Sequence, residues 1–304
     1  MRCADIAMYS AKARGKNTVE HFSEARYGEI ANVRLLEEHL AEAVGRGEIH
    51  PHFQPIIDLN TGQCVGVEAL ARWQHPTLGP IAPDTFIPVA EQTGHIIALG
   101  AHILDVACRQ VAAWSRDGTS ETLGLAVNVA PRQLARADFV STVTQTLLDS
   151  GLPAHRLTLE ITESHLVSDA DIQSRLEELA ELGVRIAIDD FGTGYTSLTT
   201  LRSLPIHQLK IDRSYLPTGD GSAGTEMFEL IVSMGRVLGL QTVAEGAEIA
   251  SQVDLLCASG VTLAQGYFFS PPMPAEHFTD WVNARSKRPR VPGSATEPAS
   301  TPAN

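Results

Sequence analysis

The chain has 304 residues, 43% of them hydrophobic and 19% charged, with a formal net charge of −13. Length and composition are those of an ordinary soluble globular chain able to bury one large core or two small ones. The acidic balance supplies no basic track for general DNA or RNA binding, while an anionic substrate stays open if bound cations reverse the local sign.

Residues 1–24 are a short piece, helix-compatible from Ala4 to Tyr9 and broken at Gly15, that cannot bury an apolar face unless it docks. Between Ala25 and Gly45, the residues Ile30, Val33, Leu36, Leu40 and Val44 recur at helical spacing. This predicts an amphipathic helix that covers a barrel end or joins domains. Strand-like runs follow near 52–57, 64–70, 123–129, 156–161, 184–189, 207–211, 240–244 and 261–266. Helix-like stretches at 97–116, 133–150, 169–182, 225–238 and 248–258 separate most of them. Pro83, Pro131, Pro153, Gly151 and Gly183 read as loop punctuation between elements. Such alternation predicts an α/β fold with a mainly parallel sheet, and eight strands suit a closed (β/α)₈ barrel of TIM type. The join Asn60-Thr61-Gly62-Gln63 is too short for a crossover helix, so it predicts a hairpin and one antiparallel strand in a modified barrel. From Arg285 onward the polar, Pro-, Ser- and Thr-rich sequence predicts a disordered tail.

Cys3, Cys64, Cys108 and Cys257 are scattered without CxxC spacing, which suits a reducing cytosol. The start lacks the apolar core of a signal peptide, and no apolar run approaches the ~18–20 residues of a membrane span. A cytoplasmic protein without membrane insertion is expected.

The run Ile188-Asp189-Asp190-Phe191-Gly192-Thr193-Gly194-Tyr195 places two adjacent carboxylates at the end of an apolar strand. Glu68, Asn128, Glu160, Lys210 and Glu245 also fall at predicted strand ends. In an α/β barrel those ends converge on one mouth, where catalytic groups gather. Oxygen ligands of this kind suit Mg²⁺ or Mn²⁺, and a pair of ions ~3.5–4 Å apart forms the clamp used for phosphoryl displacement. Adjacent residues on a regular strand face opposite sides, so Asp189 and Asp190 share a site only if the strand breaks at Asp190, a turn that Gly192 and Gly194 permit. Each residue alone has a plainer reading: Glu68 as a cap or solvated loop acid, Asn128 as a loop former before Pro131, Lys210 as a lysine with its tip in water. For all of these to hold together on successive strands is a strained coincidence. Gly219-Asp220-Gly221-Ser222-Ala223-Gly224 matches GxGxxG but starts well after the strand at 207–211, and reads as a flexible loop. Neither HExxH spacing nor a GxSxG elbow is present.

These motifs resemble an EAL domain, the family of cyclic di-GMP phosphodiesterases. The resemblance rests on Glu68-Ala69-Leu70 extended to Arg72, Phe53-Gln54-Pro55-Ile56, Asn128-Val129-Ala130 and Leu159-Glu160-Ile161-Thr162-Glu163. It continues in Asp189-Asp190-Phe191-Gly192, Leu209-Lys210-Ile211-Asp212, Ala244-Glu245-Gly246 and Gln265-Gly266-Tyr267, over about residues 28–283. The resemblance implies one metal on Glu68, Asn128, Glu160 and Asp189, and a second on Asp189, Asp190 and Glu245. Water activated there would open one phosphodiester of cyclic di-GMP to give linear pGpG. Lys210 would position water, Glu245 would assist its deprotonation, and Gln54, Leu70, Arg72 and Gln265 would lie near the substrate. Glu163 would anchor the loop after Asp190, a loop the family links to dimerisation, so a homodimer is expected. Residues 3–17 resemble the end of a GGDEF domain without its signature, so 1–24 are assigned to a GGDEF-like remnant or linker, 25–284 to the EAL domain and 285–304 to the tail. The alternative is a non-catalytic EAL-fold sensor or interaction module. Degenerate members usually lose metal ligands, and none is missing here.

Overall fold

The structure, a computed structural model, describes residues 36–163, 170–191, 198–216 and 222–285. The predicted N-terminal remnant, the glycines after Asp190, the start of the GxGxxG stretch and the tail after Arg285 lie outside the described residues. The chain divides into two units: residues up to Ile49 with Trp73–His95, and His50–Arg72 with Ile96 onward.

The second unit is a barrel. Its strands are β1 (Ile49–Asp58), β2 (Cys64–His75), β4 (Gly124–Asn128), β5 (Leu157–Thr162), β6 (Arg185–Asp189), β7 (Gln208–Ile211), β8 (Gln241–Ala244) and β9 (Leu263–Ala264), while β3 (Gly79–Ile81) belongs to the first unit. The strands pair in the order β1-β9-β8-β7-β6-β5-β4-β2, and β1 closes the ring against β2. Neighbours from β2 round to β9 are parallel, and β1 runs antiparallel to β9, as the short Asn60–Gln63 join requires. Parallel strands covered on both faces read as continuous apolar runs. Leu125, Ala126 and Val127 of β4 and Ile186, Ala187 and Ile188 of β6 are buried in this way.

Helices follow the strands. In Ile96–Arg116, the residues Leu99, Ile103, Leu104, Ala107 and Val111 form a buried stripe at i, i+3, i+4 spacing. By length and composition alone this 21-residue helix could cross a bilayer, contrary to the expectation from the sequence, and half of its apolar stretch is buried in the fold. The single helix predicted over 133–150 is two, Pro131–Leu134 and Phe139–Ser150. Gln133 folds back to accept from the Ala130 amide at 3.1 Å, closing one turn. The Asp138 carbonyl accepts from the Ser141 and Thr142 hydroxyls at 2.8 and 2.9 Å, at the start of the second helix. Pro131 and Pro83 open helices rather than mark loops, since proline's fixed φ and missing N–H suit a first turn.

In the first unit, the helical residues 36–43 bury Leu36, Leu40 and Ala43. The unforeseen strand β3 pairs with the end of β2, Trp73 opposite Ile81, and the unforeseen helix Pro83–Thr93 buries Phe86 edge-on to Trp73 at 5.6 Å.

Candidate active site

Register brings the polar residues to one end of the barrel. Glu68 is opposite Ala126, one residue before the β2–β4 ladder ends, so it lies within β2 rather than at its end. Asn128 closes β4 opposite Glu160, and Asp189 closes β6 opposite Thr162. Lys210 lies opposite Val243, and Glu245 and Gln265 immediately follow β8 and β9.

Lys210 sits at the centre with 1% of its surface exposed. Its Nζ lies 2.6 Å from Glu160 Oε2 and 2.6 Å from Glu245 Oε1, with Asp189 Oδ1 at 3.4 Å and Glu68 Oε2 at 3.5 Å. The lysine is therefore fully paired within the barrel and does not reach for water. Asn128 Nδ2 donates to Glu68 Oε1 at 2.7 Å. Gln265 Nε2 donates to Glu68 Oε2 at 2.5 Å and to Glu245 Oε1 at 3.3 Å. The Gln265 Oε1 is buried and has no donor among the described residues.

The strand break predicted at Asp190 falls on that residue itself, with φ 53°, the left-handed region that aspartate tolerates better than most side chains. Its amide donates to Asp189 Oδ1 at 3.0 Å. Carboxylate oxygens of Asp189, Asp190 and Glu245 consequently lie within 4.8 Å of one another.

Crowding of carboxylates shapes their protonation. Burial would raise the Glu68 carboxyl, but Lys210 and hydrogen bonds from Gln265 and Asn128 hold it below the ordinary range. Burial, reinforced by Glu68, pushes Glu160 well above it. Glu245 is pushed up to about 8 by burial, with Asp189 and Glu68 adding to the effect against the attraction of Lys210. Burial would lower Lys210, yet Glu160, Glu245, Glu68 and Asp189 together raise it well above the ordinary lysine value. Asp190 is raised by burial and then by the Asp189 and Asp212 charges.

Among the described residues, Gln54, Leu70 and Arg72 make no hydrogen bond to this network. Gln54 is buried and donates to the Ser270 carbonyl at 3.2 Å. Leu70 is half-buried and follows Glu68 along β2. Arg72 Nη1 donates to the Ala71 carbonyl at 2.8 Å, and burial lowers its guanidinium pKa, with Tyr267 and Glu68 opposing. Glu163 is buried one residue beyond β5, and the loop it was expected to hold lies outside the described residues. Asp212, named from the sequence only as the end of the Leu209-Lys210-Ile211-Asp212 run, has no role assigned there. It lies directly after β7, the same position that singled out the others, and its charge reaches Asp190.

Gly266 keeps this end of the barrel tight. A Cβ there would collide with the Ala247 backbone nitrogen and carbonyl. Gly266→Ala is expected to cost about 3 kcal/mol, at the upper end for overpacking, read as a lowered denaturation midpoint. A wild-type midpoint would contradict so close an approach.

The barrel with acids at its strand ends defines a class. Residues 37–272 match the EAL domain family, and the chain belongs to it. Among curated relatives, the bifunctional diguanylate cyclase/cyclic di-GMP phosphodiesterase MucR of Pseudomonas aeruginosa is 41% identical, over 90% of this chain and 40% of that protein. The cyclic di-GMP phosphodiesterase NbdA of the same organism is 38% identical, over 93% of this chain and 36% of that protein. The chain thus spans well under half the length of these relatives. Among solved structures, the PaMucR phosphodiesterase in complex with c-di-GMP superposes with a TM-score of 0.76 at 42% identity, over 80% of this chain and 99% of that one. The EAL domain of Mycobacterium smegmatis DcpA gives a TM-score of 0.67 at 33% identity, over 81% of this chain and 99% of that one.

Proposed function

We propose that this chain hydrolyses cyclic di-GMP to linear pGpG with the help of two divalent cations, Mg²⁺ or Mn²⁺. The observation that carries the reading is the charge imbalance around Lys210. Once deprotonated, Glu68, Glu160, Asp189, Asp190 and Glu245 set five carboxylates against one ammonium, a deficit of four charges that two divalent ions would cancel while holding Glu160 and Glu245 ionised. The donor set is all oxygen, which hard cations prefer. The buried Gln265 Oε1 is a further acceptor without a donor among the described residues, suited to a coordinated water. Glu68, Asn128, Glu160 and Asp189 would hold one ion, and Asp189, Asp190 and Glu245 the other. When bound, such ions polarise a phosphodiester and lower the pKa of water toward neutrality.

The chain's own groups supply the rest. Glu245, beside Lys210, would take the proton of the attacking water. As the new P–O bond forms, the P–O3′ bond breaks and the leaving oxygen takes up a proton. Lys210 offsets the negative charge that develops on the phosphoryl oxygens. Arg72 offers a planar fork matched to phosphate, and Gln54, Leu70 and Gln265 would lie near the substrate. Liquid chromatography of cyclic di-GMP incubated with the protein and Mn²⁺ should show pGpG appearing, and removal of the ion by EDTA should stop it. Tight binding without pGpG would instead establish the sensor reading.

A homodimer is part of the proposal. The loop after Asp190 lies outside the described residues, and the helix Leu198–Ser203 follows it. Arg202 and Ser203 border an apolar groove lined by Leu230, Met234 and Val237, of which Val237 is 86% exposed. Leu230→Asp is expected to turn a dimer into a monomer by light scattering, and an unchanged mass would remove this face from the interface.

The GGDEF-like reading of residues 1–24 is supported by sequence and by the greater length of the relatives, one of them bifunctional by name. The cytosolic reading rests on the scattered spacing of the four cysteines in the sequence.

A further inference from the structure

The opposite end of the barrel, where the parallel strands begin, holds a cavity of about 450 Å³. That volume lies within the range of small-molecule sites. Its floor is apolar: Ile56, Ala126 and Leu263 pack together with Val243, and Val65 lies against them. Its polar side is built from the first residues of β6, β7 and β8. Arg185 Nη2 donates to Gln241 Oε1 at 3.1 Å, and Gln208 Nε2 donates to the same oxygen at 2.9 Å. That oxygen is therefore already taken twice. Arg185 Nε is buried and has no acceptor among the described residues.

A buried guanidinium N–H without an acceptor costs roughly 1–3 kcal/mol or more, so natural folds rarely leave one in place. Arg185 makes no ion pair with a carboxylate among the described residues. The second guanidinium on the cavity, Arg156, donates to the Leu123 carbonyl at 2.7 Å and to Ser115 Oγ at 2.7 Å, and likewise meets no carboxylate among them. Two acids border the space. Asp58 Oδ1 already accepts the Asn60 and Thr61 amides at 2.8 and 3.2 Å, and Glu121 is exposed, where water and salt screen it. The fixed features are thus a guanidinium whose Nε–H lacks an acceptor and a second one without a counter-ion, both among the described residues, and an apolar floor beside them.

We infer that this cavity is a binding site for a small organic anion, its phosphate or carboxylate head on Arg185 and its apolar body on Ile56, Val65 and Leu263. Guanidinium groups match both heads through parallel hydrogen bonds. The site is separate from the proposed metal site, although Gln208 lies two residues before Lys210, and Arg185 four before Asp189, on shared strands.

Nitrogen-15 spectra of the whole chain test it, because an arginine Nε–H gives its own signal. Phenyl phosphate and benzoate supply the two head groups, inorganic phosphate a head without a body, and benzyl alcohol a body without a charge. Saturable movement of the Arg185 Nε–H signal is expected with phenyl phosphate, benzoate or both, and not with benzyl alcohol. Inorganic phosphate should bind at least tenfold more weakly than phenyl phosphate. Measured by calorimetry, since the variant lacks the Nε–H reporter, Arg185→Met should weaken binding of the tighter anion at least tenfold. Gln241→Leu, which removes the acceptor orienting Arg185, should weaken it severalfold in a protein whose circular dichroism is unchanged. Glu68→Ala, at the other end, should leave it intact. The inference is overturned if neither anion binds saturably, if affinity survives both Arg185→Met and Gln241→Leu, or if Glu68→Ala abolishes it. Equal affinity for inorganic phosphate would overturn the role of the apolar floor.

Discussion

Replacing Lys210 by Met is expected to destabilise the metal-free protein by about 3–5 kcal/mol, because removing one partner of a buried ion network leaves the others uncompensated. Four carboxylates lie within 3.5 Å of the Lys210 ammonium. Urea titration of the two proteins measures the difference. Millimolar Mn²⁺ should narrow the gap, since cations on the same carboxylates restore the missing positive charge. The loss should also be smaller at pH 5 than at pH 8. Lys210, raised above its ordinary value, keeps its proton throughout that window and does not itself titrate there. Glu245, raised to about 8, stays protonated at the lower pH and carries less unbalanced charge. A variant as stable as wild type at pH 8 without metal would mean that these carboxyls are neutral and that Lys210 balances nothing.

Asp189→Asn should lower kcat for cyclic di-GMP by at least about a thousandfold, roughly 4 kcal/mol of transition-state stabilisation. The change keeps the shape and an oxygen able to accept the Asp190 amide, which now donates to Asp189 Oδ1 at 3.0 Å. What it removes is the charge at the one position proposed to serve both ions. Folding should be little affected, so the loss should appear in turnover and in Mn²⁺ affinity measured by calorimetry. Retained turnover with normal metal affinity would exclude Asp189 as the shared ligand.

The barrel was legible because a parallel sheet covered on both faces favours apolar strands, as Leu125-Ala126-Val127 of β4 and Ile186-Ala187-Ile188 of β6 are. The reversal of β1 was legible from chain length alone, since four residues cannot carry a crossover. The end of β2 was not, because Arg72-Trp73-Gln74-His75 mixes polar and aromatic side chains without clean alternation. Pro83 hid a helix by reading as a breaker where it serves as the first turn. For the site, an acid after an apolar run is a local signal, and it brought out Glu68, Glu160, Asp189 and Glu245. Applied without exception it would have added Asp212. The centring of Lys210 among four carboxylates is set by sheet register and has no sequence pattern of its own. The cavity at the other end was invisible for a related reason. Arg185, Gln208 and Gln241 are ordinary residues at strand starts, and only the pairing register of β6, β7 and β8 makes them neighbours.

The lysine among the acids also bears on the order in which this protein is made. A site of oxygen ligands alone would repel itself until an ion arrived, tying completion of the fold to the metal supply. With Lys210 holding Glu160 and Glu245 at 2.6 Å, the barrel can close around its own internal cation. With the two ions proposed above, folding and loading would thereby be separate events, the barrel closing first on its own lysine.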